Sequence, residues 1–283
     1  MFKKDSFLVT EDANDILTMP ELEFKAYKRT TEADGISMPD RQAIIAEADS
    51  GERQIFGLVS SRYDLVHHKD VLSRYFDSLA LMGGEVDNAE HKMSLYKNGA
   101  RFELETRLRG ISVDVEGESI NPSIIFGHGM DGWKGLSFEL GAYRMRCSNG
   151  MVIGKTFSES KVKHLNELRV NEVMASAEKS VKVFTEDLVP FWTALAEFDM
   201  KVEAGDKFID DAQMDLKLPK RFSDEVRDEW NSGRSRVTGG RNAWGLYNSF
   251  TSVITHKTEE KAVERRKELG LAIAKPFQEL VLA

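Results

Sequence analysis

Cysteine is almost absent from this sequence, and so are long apolar runs. The single cysteine, Cys147, excludes a disulfide within the chain and a zinc site built from several thiolates, and it fits a reducing compartment. Nowhere do about eighteen apolar residues follow one another, and the first residues contain no apolar stretch of signal-peptide length. We therefore expect a cytoplasmic protein that has no membrane partner.

The sequence also lacks an excess of positive charge. Its 39 lysines and arginines are outnumbered by 47 aspartates and glutamates, which gives a formal net charge of −8. This balance argues against a protein that nucleic acid coats on all sides. It leaves room for a local basic groove, because residues 217–241 contain seven basic and four acidic side chains.

The sequence motifs of several enzyme classes are missing as well. There is no GxxxxGK[ST], GxGxxG, GxSxG or HExxH, and no His/Cys spacing typical of a zinc site. His67 and His68 are adjacent and would lie on opposite faces of a strand, and His91 is expected in a core. His128 and Asp131 near one turn are the remaining candidates for a base beside a carboxylate. We expect no cofactor and no metal, and a binding role rather than catalysis.

The hydrophobic pattern divides the chain into an N-terminal lead-in and one domain. Residues 1–52 are acidic and weakly patterned, which indicates an arm or a loosely attached lead-in, with a loop at 30–41. Residues 53–283 are predicted to form a single α+β domain that is β-rich over 53–157 and helical over 158–283. An antiparallel sheet with hairpins would pack against the helical half.

The clearest local signal is a hairpin in EHKMSLYKNGARFELETRL. Asn98-Gly99 is the favoured pair for a two-residue type I′ turn. In that register Leu95 faces Phe102 and Met93 faces Leu104, while on the other face Lys92 meets Glu105 and Glu90 meets Arg107. Turn chemistry, alternation and charge pairing therefore predict the same structure.

Further strands and helices follow from the same reasoning. Strands are predicted near 123–128, 134–140 and 142–147, with a turn at Asp131-Gly132 and a bulge or bend at Gly141. Helices are predicted at 68–84, at 168–198 with a kink at Pro190, and at 222–231, 242–256 and 258–274.

The candidate binding residues come from two basic segments. Arg234, Arg236 and Arg241 lie in a glycine-rich loop without an acid between them, and a helix with Trp244, Tyr247 and Asn248 follows. Backbone amides and guanidinium groups bind phosphate, and exposed aromatic rings stack on bases. The alternative is a solvated loop followed by aromatic residues packed in the core.

The second basic segment is the strand that carries Arg144 and Arg146 on one face. Two like charges there need a nearby acid, such as Glu139, Glu103 or Glu105, or an anionic partner. Cys147 shares the opposite face with Tyr143 and Met145, so we expect a buried, unreactive thiol.

Three stretches give the chain a family resemblance: FGLVSSRYDLVHH, IIFGHGMDGWKGLSFELGAYRMRCSNGMVIG and NAWGLYNSFTSVITH. They resemble the phage- and plasmid-borne family described as domain of unknown function 932, over about residues 54–257. The resemblance rests on Tyr63, on Arg144, Cys147 and Asn149 in an Arg-x-x-Cys-x-Asn element, and on Trp244, Asn248 and Thr251 in a Trp-x-x-x-Asn-x-x-Thr element. At FGHGMDG the chain departs from the Asn-Ser that often precedes Asp-Gly in the family. The resemblance implies work on mobile elements, in replication, recombination or the countering of host defence, and a site at Arg144, Asn149 and Asn248.

Three hypotheses for the function remain. The first is a protein that binds single-stranded nucleic acid, for instance as an annealing accessory in recombination, through a groove that joins Arg62, Arg144, Arg146 and the 234–241 loop. The second is a module for self-association or for binding a host protein. The third is an enzyme that acts on a nucleotide or phosphate ester through histidines beside the arginines.

Overall fold

The fold is α+β, with antiparallel sheets in the N-terminal half and helices in the C-terminal half, as the sequence predicts. A computed structural model describes residues 5–81, 88–115, 117–144, 150–152, 159–162, 184–232, 241–257 and 263–282. The chain divides into two compact units. The first comprises residues 1–110, 123–139 and 159–179, and the second comprises residues 111–122, 140–158 and 180–283.

The described residues form the following regular elements. The strands are β1 (Ser6–Thr10), β2 (Phe24–Ala33), β3 (Ile36–Ala48), β4 (Arg53–Ser60), β5 (Glu90–Tyr96), β6 (Arg101–Arg107), β7 (Val113–Val115), β8 (Glu118–Gly129), β9 (Leu136–Arg144), β10 (Gly150–Val152) and β11 (Glu159–Val162). The helices are α1 (Ala13–Leu17), α2 (His68–Leu81), α3 (Val189–Glu197), α4 (Val202–Asp215), α5 (Lys220–Ser232), α6 (Ala243–Lys257) and α7 (Val263–Leu282). None of these helices has the length and apolar character that crossing a membrane requires.

The predicted hairpin is confirmed as β5 and β6. Leu95 pairs with Phe102 and Met93 with Leu104, in the predicted register. Asn98 and Gly99 both have positive φ, +57° and +86°, as a type I′ turn requires. On the polar face Arg107 Nη1 donates to Glu90 Oε1 over 2.8 Å.

The first unit contains a sheet in which β1, β5, β6, β8 and β9 are neighbours, with β11 paired to residues 136–139 of β9. Alternate residues of its strands are fully buried, for example Leu104 and Phe126. Helix α2 covers this apolar face, since the ring of Tyr75 stacks on that of Phe126 with centroids 4.6 Å apart. Gly141 does not bend β9 out of the ladder, because it stays paired with Val152 of β10.

The first unit also contains a three-stranded antiparallel sheet in the order β2-β3-β4. Residues 1–52, predicted as an arm or lead-in, contribute β1, α1, β2 and β3, and the side chains of Ile16 and Leu22 are fully buried. The stretch 30–41, predicted as a loop, is the distal part of the β2–β3 hairpin around a turn at Asp34-Gly35. Its side chains are exposed on both faces, so the burial pattern that marks a strand is absent.

The second unit is built around the helices α3 to α7. Its core contains Trp192, Trp244, Phe250 and Phe277, all fully buried. The predicted helices at 222–231 and 242–256 are confirmed as α5 and α6. Pro190 lies in the first turn of α3, where its missing N–H is tolerated. Helix α4 was not predicted, because its charged sequence contains Gly205, on which the indole of Trp230 packs.

Candidate functional site

The register of the three-stranded sheet decides which of its side chains share the exposed face. Lys25, Glu47 and Arg53 form one row across the strands, and Tyr27, Ile45 and Ile55 form the next. Arg29, Ala43 and Leu58 form the third row, and Arg41 pairs with Ser60 beyond it. We call this set the basic face. The opposite face carries Phe24, Ile44, Ala46 and Val59, which are buried.

A β-bulge places the two large aliphatic side chains of β4 on the basic face. Ile45 pairs with Ile55, but the next residue, Ile44, pairs with Gly57, so Phe56 is the extra residue of the bulge. Phe56 consequently turns inward, where its ring meets that of Phe24 edge-on with centroids 5.4 Å apart. Ile55 and Leu58 remain 64% and 58% exposed.

The basic face carries more positive than negative charge. The face has four cationic side chains, Lys25, Arg29, Arg41 and Arg53, and one carboxylate, Glu47, which shares a row with Lys25 and Arg53. Arg53 Nε donates to Glu47 Oε2 over 2.8 Å, and the Tyr27 hydroxyl donates to the same oxygen over 3.0 Å. Both hydrogen bonds lower the pKa of Glu47, and the one from Arg53 has the larger effect.

The other three cations of this face are exposed, and of these Lys25 lies opposite Glu47 and helps to lower its pKa. Within the part of the chain that the structure describes, Lys25, Arg29 and Arg41 take part in no ion pair. An acidic protein thus has an excess of three positive charges on one sheet face, next to exposed aliphatic side chains. Large exposed apolar groups that adjoin one another on a surface mark a binding site more often than single ones do.

Arg62 adjoins the basic face, whereas its neighbour Tyr63 is buried. Arg62 is exposed in the turn after β4, two residues beyond Ser60, the residue that pairs with Arg41. Tyr63 donates its hydroxyl to the carbonyl oxygen of Gly129 over 3.1 Å, and burial raises its pKa. Of these two predicted site residues, only Arg62 is accessible to a ligand.

Trp133 lies in the turn between β8 and β9, beside β4. The Asp131 carboxylate accepts the N–H of Trp133 over 3.0 Å and binds Arg101 Nε over 2.5 Å. The turn approaches β4 so closely that a methyl group on Gly57 would overlap the backbone carbonyl of Asp131. The indole of Trp133 remains 85% exposed, which is unusual for tryptophan in a monomeric protein.

Two predicted site residues of the second unit, Trp244 and Asn248, lie in its core. Trp244 is fully buried and Asn248 is 1% exposed, with Asn248 Nδ2 donating to the Trp244 carbonyl oxygen over 2.8 Å. Arg241 is exposed, and its guanidinium lies 5.2 Å from the centre of the Trp230 ring. The packed-core alternative therefore describes the positions of Trp244 and Asn248.

Arg144, a predicted site residue, is the last residue of β9. Arg146, Cys147, Asn149, Arg234 and Arg236 lie outside the described residues.

The histidines of the first unit have structural partners. His68 begins α2, and its Nδ1 is 2.7 Å from Nδ1 of His128, with both side chains fully buried. His68 Nε2 lies 3.0 Å from the Gly99 carbonyl oxygen, which only accepts, so His68 is the donor there. In a neutral pair, Nδ1 of His128 then donates to Nδ1 of His68. His91 Nδ1 lies 3.0 Å from Thr106 Oγ1, as expected for a core histidine.

Sequence reasoning missed the basic face, although one signal for it is present. Every second residue of β2 belongs to this face, namely Lys25, Tyr27 and Arg29. The same holds in β3 for Arg41, Ala43, Ile45 and Glu47. Such a period of two indicates strands, but here polar residues face outward and small or polar residues also point inward. The difference in hydrophobicity between the outward and the inward residues, which would have revealed a sheet, is therefore small.

Comparisons with known proteins give one finding. The sequence model of one family, described as "Domain of unknown function (DUF932)", matches residues 55–272. There is no significant match to a curated protein or to a solved structure.

Proposed function

The chain belongs to the DUF932 family, and we propose that this member binds single-stranded nucleic acid on the basic face of its three-stranded sheet, as an accessory in replication or recombination. The observation that carries the proposal is the row geometry of that face. Lys25, Arg29 and Arg41, none of which takes part in an ion pair among the described residues, share this face with exposed Ile55 and Leu58 and with half-buried Tyr27.

Each part of the face suits one part of a single strand. Guanidinium groups donate two parallel hydrogen bonds to a phosphate, and the lysine adds a point charge. Base rings have apolar faces that pack on exposed aliphatic and aromatic groups, which makes such binding tolerant of sequence. Arg62 extends the row of cations beyond Arg41.

A duplex fits this arrangement less well. Base edges in a major groove are normally read by a helix or a two-stranded ribbon. This face is a three-stranded sheet, and the hairpin that extends from it over residues 31–40 has three acidic and no basic side chains. Stacking on side chains also requires bases that are free of their partners. We therefore expect a preference for single strands over duplexes of the same length.

Charge reversal on the face tests the proposal. Arg29→Glu combined with Arg41→Glu is expected to weaken the binding of a labelled single-stranded oligonucleotide by about tenfold or more, since each charged hydrogen bond contributes roughly 1.5–3 kcal/mol. The measurement is fluorescence anisotropy at low salt, with circular dichroism to show that the variant is folded.

A matched control separates this effect from that of net charge. Lys201 and Lys220 are exposed at the starts of α4 and α5, so Lys201→Glu with Lys220→Glu changes the net charge equally. The control should bind nearly as well as the wild type. Equal losses in the two double variants, or no saturable binding by the wild type, would refute the proposal.

A further inference from the structure

The distal part of the β2–β3 hairpin, Thr31–Asp40, projects beyond the three-stranded sheet. The last strand pair between β3 and β4 is Arg41 with Ser60, next to which the Asp40 carbonyl oxygen accepts the N–H of Ser61 over 3.1 Å. Farther out, residues 31–33 pair only with residues 36–38. From Thr30, which still pairs with Gln42, the strand β2 continues for three residues to Ala33, which corresponds to about 10 Å. We call Thr31–Asp40 the acidic arm.

The acidic arm has the chemistry of a contact surface. It contains Glu32, Asp34 and Asp40 and no cation. Ile36 is 71% exposed and Met38 is 37% exposed. Met38 pairs with Thr31 and Ile36 pairs with Ala33. Thr31 and Ala33 alternate along β2 with Arg29, so Ile36 and Met38 lie on the same side as the basic face, and Glu32 lies on the other side.

The arm is poorly suited to pairing by strand addition. Pro39 has no N–H, and proline and charged side chains on an edge strand are devices that prevent such pairing. When the arm contacts a partner, we therefore expect side-chain contacts through Ile36 and Met38 rather than backbone hydrogen bonds.

We infer that the acidic arm of one copy docks on the basic face of a second copy. The arm contributes three negative charges and two exposed aliphatic side chains, and the face offers an excess of three positive charges around Ile55 and Leu58. The arm cannot fold back onto its own face, because it continues β2 and β3 outward from that face. The contact closes as a twofold dimer where two copies exchange their arms, and it generates rings or filaments where they do not.

Docking of this kind places the arm in competition with nucleic acid. Only the competition rests on the proposed function; the association between copies does not. When half of the faces are occupied by arms, the apparent dissociation constant for an oligonucleotide doubles. Removing the arm's charge is then expected to tighten oligonucleotide binding by about twofold at protein concentrations where the wild type associates.

A charge swap tests the docking. The arm variant combines Asp34→Lys with Asp40→Lys, and the face variant combines Arg29→Glu with Arg41→Glu. Lys97 of this chain already adopts a positive φ of +55°, so a lysine at position 34, where φ is +52°, is tolerable. Light scattering after size exclusion, at tens of micromolar protein and low salt, gives the mass of each variant and of their mixture.

The inference predicts that the wild type associates, that each variant alone is monomeric, and that an equimolar mixture of the two associates again. Restoration in the mixture also shows that both variants are folded. A strictly monomeric wild type, or variants that associate like the wild type, would overturn the docking. A protein that binds the oligonucleotide but does not associate would refute the docking and support the proposed function. A protein that associates but does not bind the oligonucleotide would refute the proposed function and support the docking.

Discussion

At the scale of single residues, His91 shows what a buried histidine contributes to this protein. Its side chain is 5% exposed, and burial lowers its pKa from the ordinary 6.5 to about 4. Unfolding exposes the imidazole and restores its ordinary pKa. Between pH 6.5 and 4 the unfolded state therefore binds a proton that the folded state does not, and acid destabilises the fold.

His91→Gln tests this linkage, because glutamine does not titrate. The contribution of His91 to stability is complete above about pH 6.5 and is lost as the pH falls toward 4. From pH 7 to pH 5, the wild type should lose about 2 kcal/mol more unfolding free energy than the variant, by urea denaturation. The same loss in both proteins would show that His91 is not the titrating group.

Individual residues also show why the sequence predicted part of the site and not the rest. Arg62 was predicted because charge and local pattern sufficed to place it on a surface. Tyr63, Trp244 and Asn248 have polar groups that the sequence pattern treats as available, yet tertiary packing buries them. The basic face depends on the bulge at Phe56, which turns Ile55 and Leu58 to the same side, and no local signal marks that bulge.

At the scale of elements, the β5–β6 hairpin was predictable in full, because three independent local preferences agree on one register. Gly99 carries the turn at φ +86°. Gly99→Ala places a Cβ in the left-handed region and is expected to cost about 1–2 kcal/mol of unfolding free energy in chemical denaturation.

Asn98→Gly is the matched control for that substitution. Asn98 also has a positive φ, +57°, and glycine accepts this conformation, so the control should stay within about 0.5 kcal/mol of the wild type. A Gly99→Ala protein as stable as the control would contradict the type I′ assignment.

The β2–β3 hairpin was not predictable in the same way. Its distal part is exposed on both faces, so neither face imposes an apolar period on the sequence, and Asp34-Gly35 within an acidic segment is equally typical of a loop. The proximal part contributes Ile44 and Ala46 to a buried cluster, but these residues lie next to polar ones that point outward. Long-range pairing with β4 decides the structure here.

At the scale of the whole molecule, the two units do not follow one another along the chain. Residues 111–122 and 140–158 belong to the second unit, whereas residues 123–139 and 159–179 belong to the first. A cut at residue 158, where β-rich sequence gives way to helical sequence, separates β11 from its partner β9 and removes α3 to α7 from the second unit.

The fragment 1–158 is accordingly expected not to fold into a native half. Its melt by circular dichroism should be broad and it should bind a hydrophobic dye, because apolar surface on both units loses its cover. The full chain, treated identically, is the reference. A fragment with a cooperative transition and no dye binding would mean that the N-terminal part is independent of the rest.

The dependence of oligonucleotide affinity on salt tests the central claim most directly. Each phosphate neutralised on a single strand contributes about −0.7 to the slope of log K against log salt, so contacts from Lys25, Arg29, Arg41 and Arg62 give a slope of roughly −2 to −3. Arg29→Gln with Arg41→Gln should reduce the magnitude of that slope by about 1.4. A slope unchanged by these substitutions would place the bound strand elsewhere on the protein and contradict the assignment of the basic face.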